Sequence, residues 1–226
     1  MNQLISRARE EHRSLLEYEA MELFAQYGIP VPRFALAKSR AEAEAAAGEI
    51  DFPVVLKVVS PDIIHKSDVG GVVVGVKSAG EAGAAYDRIR ESVAERAPGA
   101  DIHGVLVAAQ AESGLECIVG MTQDASFGPA FMFGLGGIFV ELLKDVAFRV
   151  LPLDKAEVLR MLRETKGYAL LSGARGRAPM DVDALAQLIL DVARMVEENP
   201  EIKELDINPL FVYSKGVLTV DARVLL

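Results

Sequence analysis

Apolar residues recur at helical spacing near the start of the chain. Between residues 15 and 27 they lie three or four positions apart, which places them on one face of a helix. Gly28 follows where a left-handed C-terminal cap is expected, and Pro30 and Pro32 then favour an extended exit. The pattern therefore predicts a first helix that ends at Gly28.

Later helices are marked by their first residues. Ser39, Ser78 and Asp154 are each followed three positions later by glutamate, the arrangement of a capping box. Another helical run begins at Asp181. We therefore expect helices from near residue 39, over 78–96, over 154–164 and over 181–198.

Short runs of β-branched residues predict the strands. Val54–Val59 and Val72–Val76 are two such runs, and the polar loop 60–71 lies between them. The elements alternate irregularly, without the even βαβ rhythm of a doubly wound sheet, which favours an α+β fold of two lobes. We expect the lobes to be 1–108 and 109–226. Further strands are predicted at Gly104–Ala109, 115–120 and 130–133, and a C-terminal hairpin at 205–213 and 217–225.

The composition limits the classes of function. With 51% hydrophobic residues among 226, the chain has ample material for a core. A formal charge of −9 at pH 7 argues against binding to nucleic acid, which needs a basic surface. The single cysteine, Cys117, gives no disulfide framework, and no segment approaches the roughly 20 apolar residues of a membrane helix. We therefore expect a cytoplasmic protein that binds neither nucleic acid nor membrane.

Two basic residues stand out in the first strand pair and its loop. Lys57 interrupts an apolar strand, and a buried ammonium needs an anionic partner. It is either a phosphate-contacting lysine or a surface lysine on a half-exposed strand. His65 lies in the 60–71 loop, just before Gly70 and Gly71. A neutral imidazole can accept a phosphoryl group, and glycine amides can approach a phosphate closely; a solvated loop histidine is the alternative.

A glycine-containing segment and two glutamates are weaker candidates. The segment FGLGGIFVE supplies Gly136 and Gly137 and ends at Glu141. Its amides could hold an anion, but its spacing matches neither the dinucleotide nor the P-loop fingerprint, and a tight turn explains it equally well. Glu112 and Glu116, near the expected lobe boundary, could accept ribose hydroxyls or simply be exposed.

Three oxygen-bearing side chains are expected to converge in the C-terminal hairpin. Asp206 and Asn208 are two residues apart in a strand and so share one face. A turn around Lys215 places Asp221 beside Asn208, to within the register. Two carboxylates and an amide oxygen suit Mg²⁺, which keeps several waters and shares phosphate oxygens with a nucleotide. A polar network at the end of the sheet is the alternative.

Taken together, these segments resemble a known family. YGIPVP, VVLKVVSPDIIHKSDVGGV, FGLGGIFVELLKDVAFRVLPL, GARG, ELDINPL and the closing VDAR occur in the order of the β subunit of ADP-forming acetyl-CoA synthetase. The resemblance runs from about Leu15 to the C-terminus. It implies an ATP-grasp fold of two lobes, with the nucleotide in the cleft between them, and a relationship to the β chain of succinyl-CoA synthetase.

The resemblance also implies roles for the candidate residues. His65 would be a phosphohistidine, and Asp206 would face the histidine delivered by a partner subunit. Asn208 and Asp221 would hold Mg²⁺. The residues implied to contact or surround ATP or ADP are Lys57, Gly70, Gly71, Gln110, Glu112, Glu116, Gly136, Gly137 and Glu141.

The implied reaction is acyl-CoA + ADP + phosphate ⇌ carboxylic acid + ATP + CoA. A separate α subunit would bind CoA and the acyl group, in a heterotetramer of two α and two β chains. Phosphate would pass from a histidine of that subunit through His65 to ADP. Two alternatives are a nucleotide-sensing module that regulates a partner enzyme and an ATP-grasp carboxylate–amine ligase, neither of which needs His65. Met21, where relatives often have lysine, and Ala111, in place of a common methionine, leave the choice between ATP and GTP open.

Overall fold

A computed structural model describes residues 2–137, 144–173 and 178–226 of the chain. These residues form two compact units, each with its own sheet. The six-stranded unit combines the N-terminal segment up to Leu15 and Glu19–Val31 with the chain from Ser113 onward. The four-stranded unit holds Leu16–Tyr18 and Pro32–Glu112.

This grouping differs from the predicted lobes 1–108 and 109–226. The reason is that N-terminal segments hydrogen-bond to the C-terminal strands. Leu15 N–H donates to the carbonyl of Val224 at 3.2 Å, and Thr219 N–H donates to that of Pro30 at 2.9 Å. Contacts of such high sequence separation leave no local signal in the chain.

The helices that follow Ser39, Ser78, Asp154 and Asp181 begin where the sequence predicts. In chain order, the helices of the described residues are α1 Gln3–Glu10, α2 Glu17–Gln26, α3 Arg40–Ile50, α4 Ala79–Arg96, α5 Lys155–Glu164, α6 Tyr168–Leu171 and α7 Val182–Glu198. The side chains of Ser39, Ser78 and Asp154 accept the backbone N–H three residues on, at 3.2, 3.2 and 2.7 Å, so these predicted caps are confirmed. Helix α1 is an addition to the predicted elements: Asn2 caps it by accepting the backbone N–H of Leu4 at 2.9 Å, and Ile5 and Ala8 are its buried residues.

The strands pair antiparallel throughout the described residues, which confirms the α+β class. They are β1 Phe34–Ala37, β2 Val54–Val59, β3 Val72–Val76, β4 Gly104–Ala109, β5 Leu115–Asp124, β6 Gly128–Leu135, β7 Val146–Val150, β8 Glu204–Val212, β9 Val217–Thr219 and β10 Ala222–Leu225. The prediction of one strand over 217–225 is wrong in detail, because Val220 and Asp221 interrupt the extended strand and divide it in two. Both resulting strands pair with β8.

The four-stranded unit has the strand order β1–β4–β2–β3. Helices α3 and α4 form its core with the face of β2 that carries Val54, Leu56 and Val58. Alternation puts Lys57 on the opposite face, where its cross-strand partner Leu106 is also fully buried. Strand β2 is therefore buried on both faces.

The six-stranded unit has the order β10–β8–β5–β6–β7, with β9 added to β8. Phe131 and Phe133 of the sheet and Leu185 and Ile189 of α7 are fully buried. Met132 lies between the two phenylalanines and so faces the other side of the sheet. None of the described helices is both long and apolar enough to cross a bilayer, and the expected cytoplasmic location stays a prediction.

Candidate functional site

His65 is presented to solvent by residues 60–71, which connect β2 to β3 and are called here the His65 segment. Ile63 is buried in the core of the four-stranded unit, whereas Ile64 is 59% exposed and His65 is exposed too. Beyond the histidine the chain turns on itself: Asp68 N–H donates to the His65 carbonyl at 3.2 Å. The imidazole is therefore accessible in this structure.

Hydrogen bonds hold the His65 segment on both sides of the histidine. Before it, Asp62 accepts the backbone N–H of Asp101 at 2.7 Å. After it, the hydroxyl of Ser92 in α4 donates to the carbonyl of Val69 at 2.9 Å. The anchors leave the histidine accessible while fixing its neighbours.

Gly70 and Gly71 close the His65 segment. Gly70 N–H donates to the Ser67 carbonyl at 3.1 Å, and Gly71 N–H donates to the Lys66 carbonyl at 2.7 Å. A Cβ at position 71 would lie 2.9 Å from that carbonyl and 2.5 Å from a methyl group of Val58. The Cβ contacts explain the glycine at position 71, and a φ of +67° explains the one at position 70. Contact of either glycine with a phosphate stays a prediction.

We expect Gly71→Ala to lower the free energy of unfolding by about 1–3 kcal/mol, because the added methyl overpacks the loop against β2. The matched control is Gly48→Ala, at an exposed position of α3 where an added Cβ has nothing within 4 Å. That change should stabilise by about 0.5–1 kcal/mol, because alanine loses less backbone entropy in a helix. Urea unfolding measures both, and equal stability of Gly71→Ala and the native chain would contradict the close packing.

Lys57 pairs with a carboxylate that the sequence analysis did not identify. Its ammonium lies 2.7 Å from Oε1 of Glu17, and both side chains are buried. The expectation of an anionic partner is therefore confirmed, and the alternative of a surface lysine on a half-exposed strand is wrong. Whether this ammonium contacts a nucleotide stays a prediction.

A helical signal for Glu17 is present in the sequence. Glu17 precedes Ala20, Met21 and Phe24 by three, four and seven positions, the spacing of one helical face. All three of those side chains are fully buried. A glutamate at a core-spaced position indicates a buried carboxylate that needs a cation.

The other candidates of the four-stranded unit lie near its last strand. The side-chain oxygen of Gln110 accepts the backbone N–H of Gly75, in β3, at 2.7 Å. Glu112 is exposed. Gln110 thus ties the end of β4 to β3, and a nucleotide contact by either residue stays a prediction.

In the six-stranded unit, Glu116 and the glycine segment are adjacent. Gly136 N–H donates to the carbonyl of Glu116 at 2.7 Å, and a Cβ on Gly136 would lie 2.8 Å from that of Glu116. Gly137 has φ +62°. These features describe a tight turn beside an exposed glutamate, whereas Glu141 and residues 174–177 lie outside the described residues.

The C-terminal strands bring Asn208 and Asp221 together, as predicted. Ile207 is paired with Ala222, and Asn208 N–H donates to the carbonyl of Asp221 at 3.3 Å. Asp206 lies opposite Arg223. Asp206 and Asp221 are half-buried, and Asn208 is exposed.

The carboxylates of Asp206 and Asp221 repel each other. Burial raises the pKa of Asp206, the charge of Asp221 raises it further, and Arg223 opposes the shift. Two repelling carboxylates beside an amide oxygen fit a hard divalent cation. No cluster of three or more His, Cys, Asp or Glu able to hold a metal occurs in the described part of the chain. Whether Asn208 and Asp221 hold Mg²⁺ stays a prediction.

A cavity of about 330 Å³ opens beside Asp206 in the six-stranded unit. Gly120, Met132, Phe148 and Arg223 also line it. Phe148 is 58% exposed. Asp206 thus lines a cavity whose wall contains both apolar and charged side chains.

The sequence comparisons match nearly the whole chain. The model of the ATP-grasp domain family matches residues 6–226. The β subunit of acetate–CoA ligase (ADP-forming) I from Pyrococcus furiosus is 50% identical over 224 residues, which are 99% of this chain and 97% of that protein.

Two solved structures of the dinucleotide-forming acetyl-coenzyme A synthetase 1 of Ca. Korarchaeum cryptofilum are also similar. One, in complex with coenzyme A, Ca-AMPCP and HgCl+, has a TM-score of 0.96 at 48% identity and covers 99% of this chain and 98% of that chain. The other is a selenomethionine derivative with coenzyme A and Mg-AMPPCP, in which the phosphohistidine segment points towards the nucleotide binding site. Its TM-score is 0.87 at 45% identity, with 99% and 98% of the two chains covered.

Proposed function

The chain belongs to the ATP-grasp domain family and, within it, to the β subunits of ADP-forming acid–CoA ligases, and we propose that it passes a phosphoryl group between an α subunit and ADP through His65. The observation that carries the proposal is the exposed His65 on a segment anchored on both sides. The similar synthetase with Mg-AMPPCP has a phosphohistidine segment, which supports a relay through a histidine in this chain.

The relay consists of two phosphoryl transfers. The α subunit converts acyl-CoA and phosphate to an acyl phosphate and free CoA, and one of its histidines then takes the phosphoryl group and releases the carboxylic acid. A ring nitrogen of His65 attacks the phosphorus, and the P–N bond to the partner's histidine breaks. A terminal oxygen of ADP next attacks phosphorus on His65, and the second P–N bond returns its electron pair to the imidazole.

Charge neutralisation and positioning supply most of the rate in phosphoryl transfer. The ammonium of Lys57 and the side chains of Asn208 and Asp221 are the groups we assign to the nucleotide and its Mg²⁺. When bound, Mg²⁺ neutralises phosphate charge. Asp206, beside its cavity, faces the partner's histidine and stabilises the cationic imidazole before transfer.

Asp221→Ala should weaken Mg²⁺-dependent ATP binding by about tenfold or more, because it deletes a proposed metal ligand. The matched control is Asp183→Ala, which removes an exposed carboxylate paired with Lys155 in the same unit. Calorimetric titration of ATP at several magnesium concentrations measures the effect. The same magnesium dependence in Asp221→Ala and the native chain would refute the assignment.

The relatives' subunit names support an α partner for this chain. We propose an assembly of two α and two β chains in the cytoplasm, with ATP or ADP as the nucleotide. Acyl-CoA-dependent synthesis of ATP by the reconstituted subunits tests the proposed reaction. Absence of ATP synthesis with a range of acyl-CoA substrates would contradict it.

A further inference from the structure

A buried carboxylate lies between two lysines in the four-stranded unit. Oε1 of Glu17 is 2.7 Å from the ammonium of Lys57, and Oε2 is 2.8 Å from that of Lys66. The second contact is an ion pair without the angular geometry of a hydrogen bond. Glu17 thus contacts one lysine through each oxygen.

The two lysines differ in how they are fixed. Lys57 belongs to β2 and is buried, so its position is set by the sheet. Lys66 belongs to the His65 segment, directly after the histidine, and its side chain is 18% exposed. Glu17 therefore connects a fixed point of the sheet to the segment that carries His65.

The backbone of Lys66 carries this connection to the rest of the segment. Its carbonyl accepts the N–H of Gly71 at 2.7 Å, and Val58 N–H donates to the carbonyl of Gly71 at 2.7 Å. Holding the side chain of Lys66 therefore also holds the turn that follows His65. Movement of this turn alters where the imidazole lies.

A buried ion pair is weak evidence for stability, because desolvation offsets much of the attraction. The Glu17 pairs instead fix relative position, since the two carboxylate oxygens contact two different ammonium groups at 2.7 and 2.8 Å. This observation favours a role in placing the segment.

We propose that Glu17 is a positioning residue that holds Lys66 beside Lys57 and so sets the place of the His65 segment in the unphosphorylated protein. The functional meaning of this inference rests on the proposed relay. A phosphoryl group on His65 adds up to about two negative charges next to Lys66 and competes with Glu17 for its ammonium. Phosphorylation therefore loosens the segment from the carboxylate.

Hydrogen exchange of the full chain tests the inference without catalysis. In Glu17→Gln, the amides of Gly70 and Gly71 should exchange about tenfold faster, because the turn opens more often. The amide of Leu106, in β4, should change by less than about twofold. A purely structural role would accelerate exchange at all three amides, and that result would overturn the inference.

A second variant retains the buried Glu17–Lys57 pair. Lys66→Met should accelerate exchange at Gly70 and Gly71 as Glu17→Gln does, and the double variant should show no further increase, because both changes remove the same Glu17–Lys66 pair. If exchange in the double variant were accelerated by the product of the two single accelerations, Glu17 would not act through Lys66. The matched control is Asp87→Asn, which removes a carboxylate from an exposed pair with Arg40 in the same unit; it should leave these amides unchanged.

Rescue and labelling separate this inference from the relay. Glu17→Asp keeps the negative charge, so the amides of Gly70 and Gly71 should exchange more slowly in this variant than in Glu17→Gln. If native protein forms phosphohistidine while Glu17→Gln leaves exchange at Gly70 and Gly71 unchanged, the inference fails and the relay stands. If native protein forms none while exchange in Glu17→Gln rises as expected, the relay fails and the positioning role of Glu17 stands.

Discussion

Replacement of His65 by alanine is expected to reduce acyl-CoA-dependent ATP synthesis by the reconstituted subunits more than about a thousandfold, because it removes the group that carries the phosphoryl between subunits. The dissociation constant for ATP should remain within about threefold of the native value, since the exposed imidazole is proposed to act on the phosphoryl group only while it is transferred. Coupled assay of ATP formation and calorimetric titration with ATP measure the two quantities.

His103→Ala is the matched control for this prediction. His103 lies in the same unit and contacts Asp101 at 3.0 Å, with no place in the proposed relay. Its replacement should leave ATP synthesis near the native rate. Turnover of His65→Ala close to that of His103→Ala would refute the relay through His65.

Asp206→Asn is expected to lower turnover and raise stability together. The amide removes the charge that stabilises the partner's cationic histidine, which should reduce ATP synthesis about a hundredfold or more. Burial and Asp221 raise the pKa of Asp206, so its ionised form is unfavourable in the folded protein. In the absence of magnesium, a neutral side chain should therefore increase the free energy of unfolding, by an amount that solvent screening keeps small because Asp206 is only half-buried.

Glu204→Gln provides the comparison for Asp206→Asn. Glu204 lines the same cavity, so its neutralisation changes the charge of the cavity without touching Asp206. ATP synthesis in this variant should stay within about threefold of native. If Glu204→Gln lost as much activity as Asp206→Asn, the effect would come from the overall charge of the cavity, and the specific role of Asp206 would be contradicted.

Local chemistry explains which parts of the fold were predictable. The caps at Ser39, Ser78 and Asp154 were predictable, because each side chain accepts a hydrogen bond from the backbone N–H three residues later. The neighbourhood of Asn208 and Asp221 followed from counting residues through a short turn. Strand β7 is an addition to the predicted strands, although Val146, Phe148 and Val150 alternate along it. Its pairing with β6 places Phe148 beside Met132 on the neighbouring strand.

The candidate site was predictable in its chemical residues and less so in their partners. His65 is exposed in its loop, which is expected both of a phosphoryl acceptor and of a solvated loop histidine. Glu17, by contrast, is 40 residues away from Lys57 in the sequence and contacts it only in the folded unit. The amides of Gly70 and Gly71 donate to carbonyls of the loop in this structure, and the phosphate contact expected of these glycines stays a prediction.

The central claim is tested most directly by labelling the purified chain with γ-labelled ATP and magnesium. The account predicts an acid-labile, alkali-stable phosphoryl adduct in the native chain and in His103→Ala, and no adduct in His65→Ala. No adduct in the native chain, despite measured ATP binding and with the α subunit added, would contradict the relay.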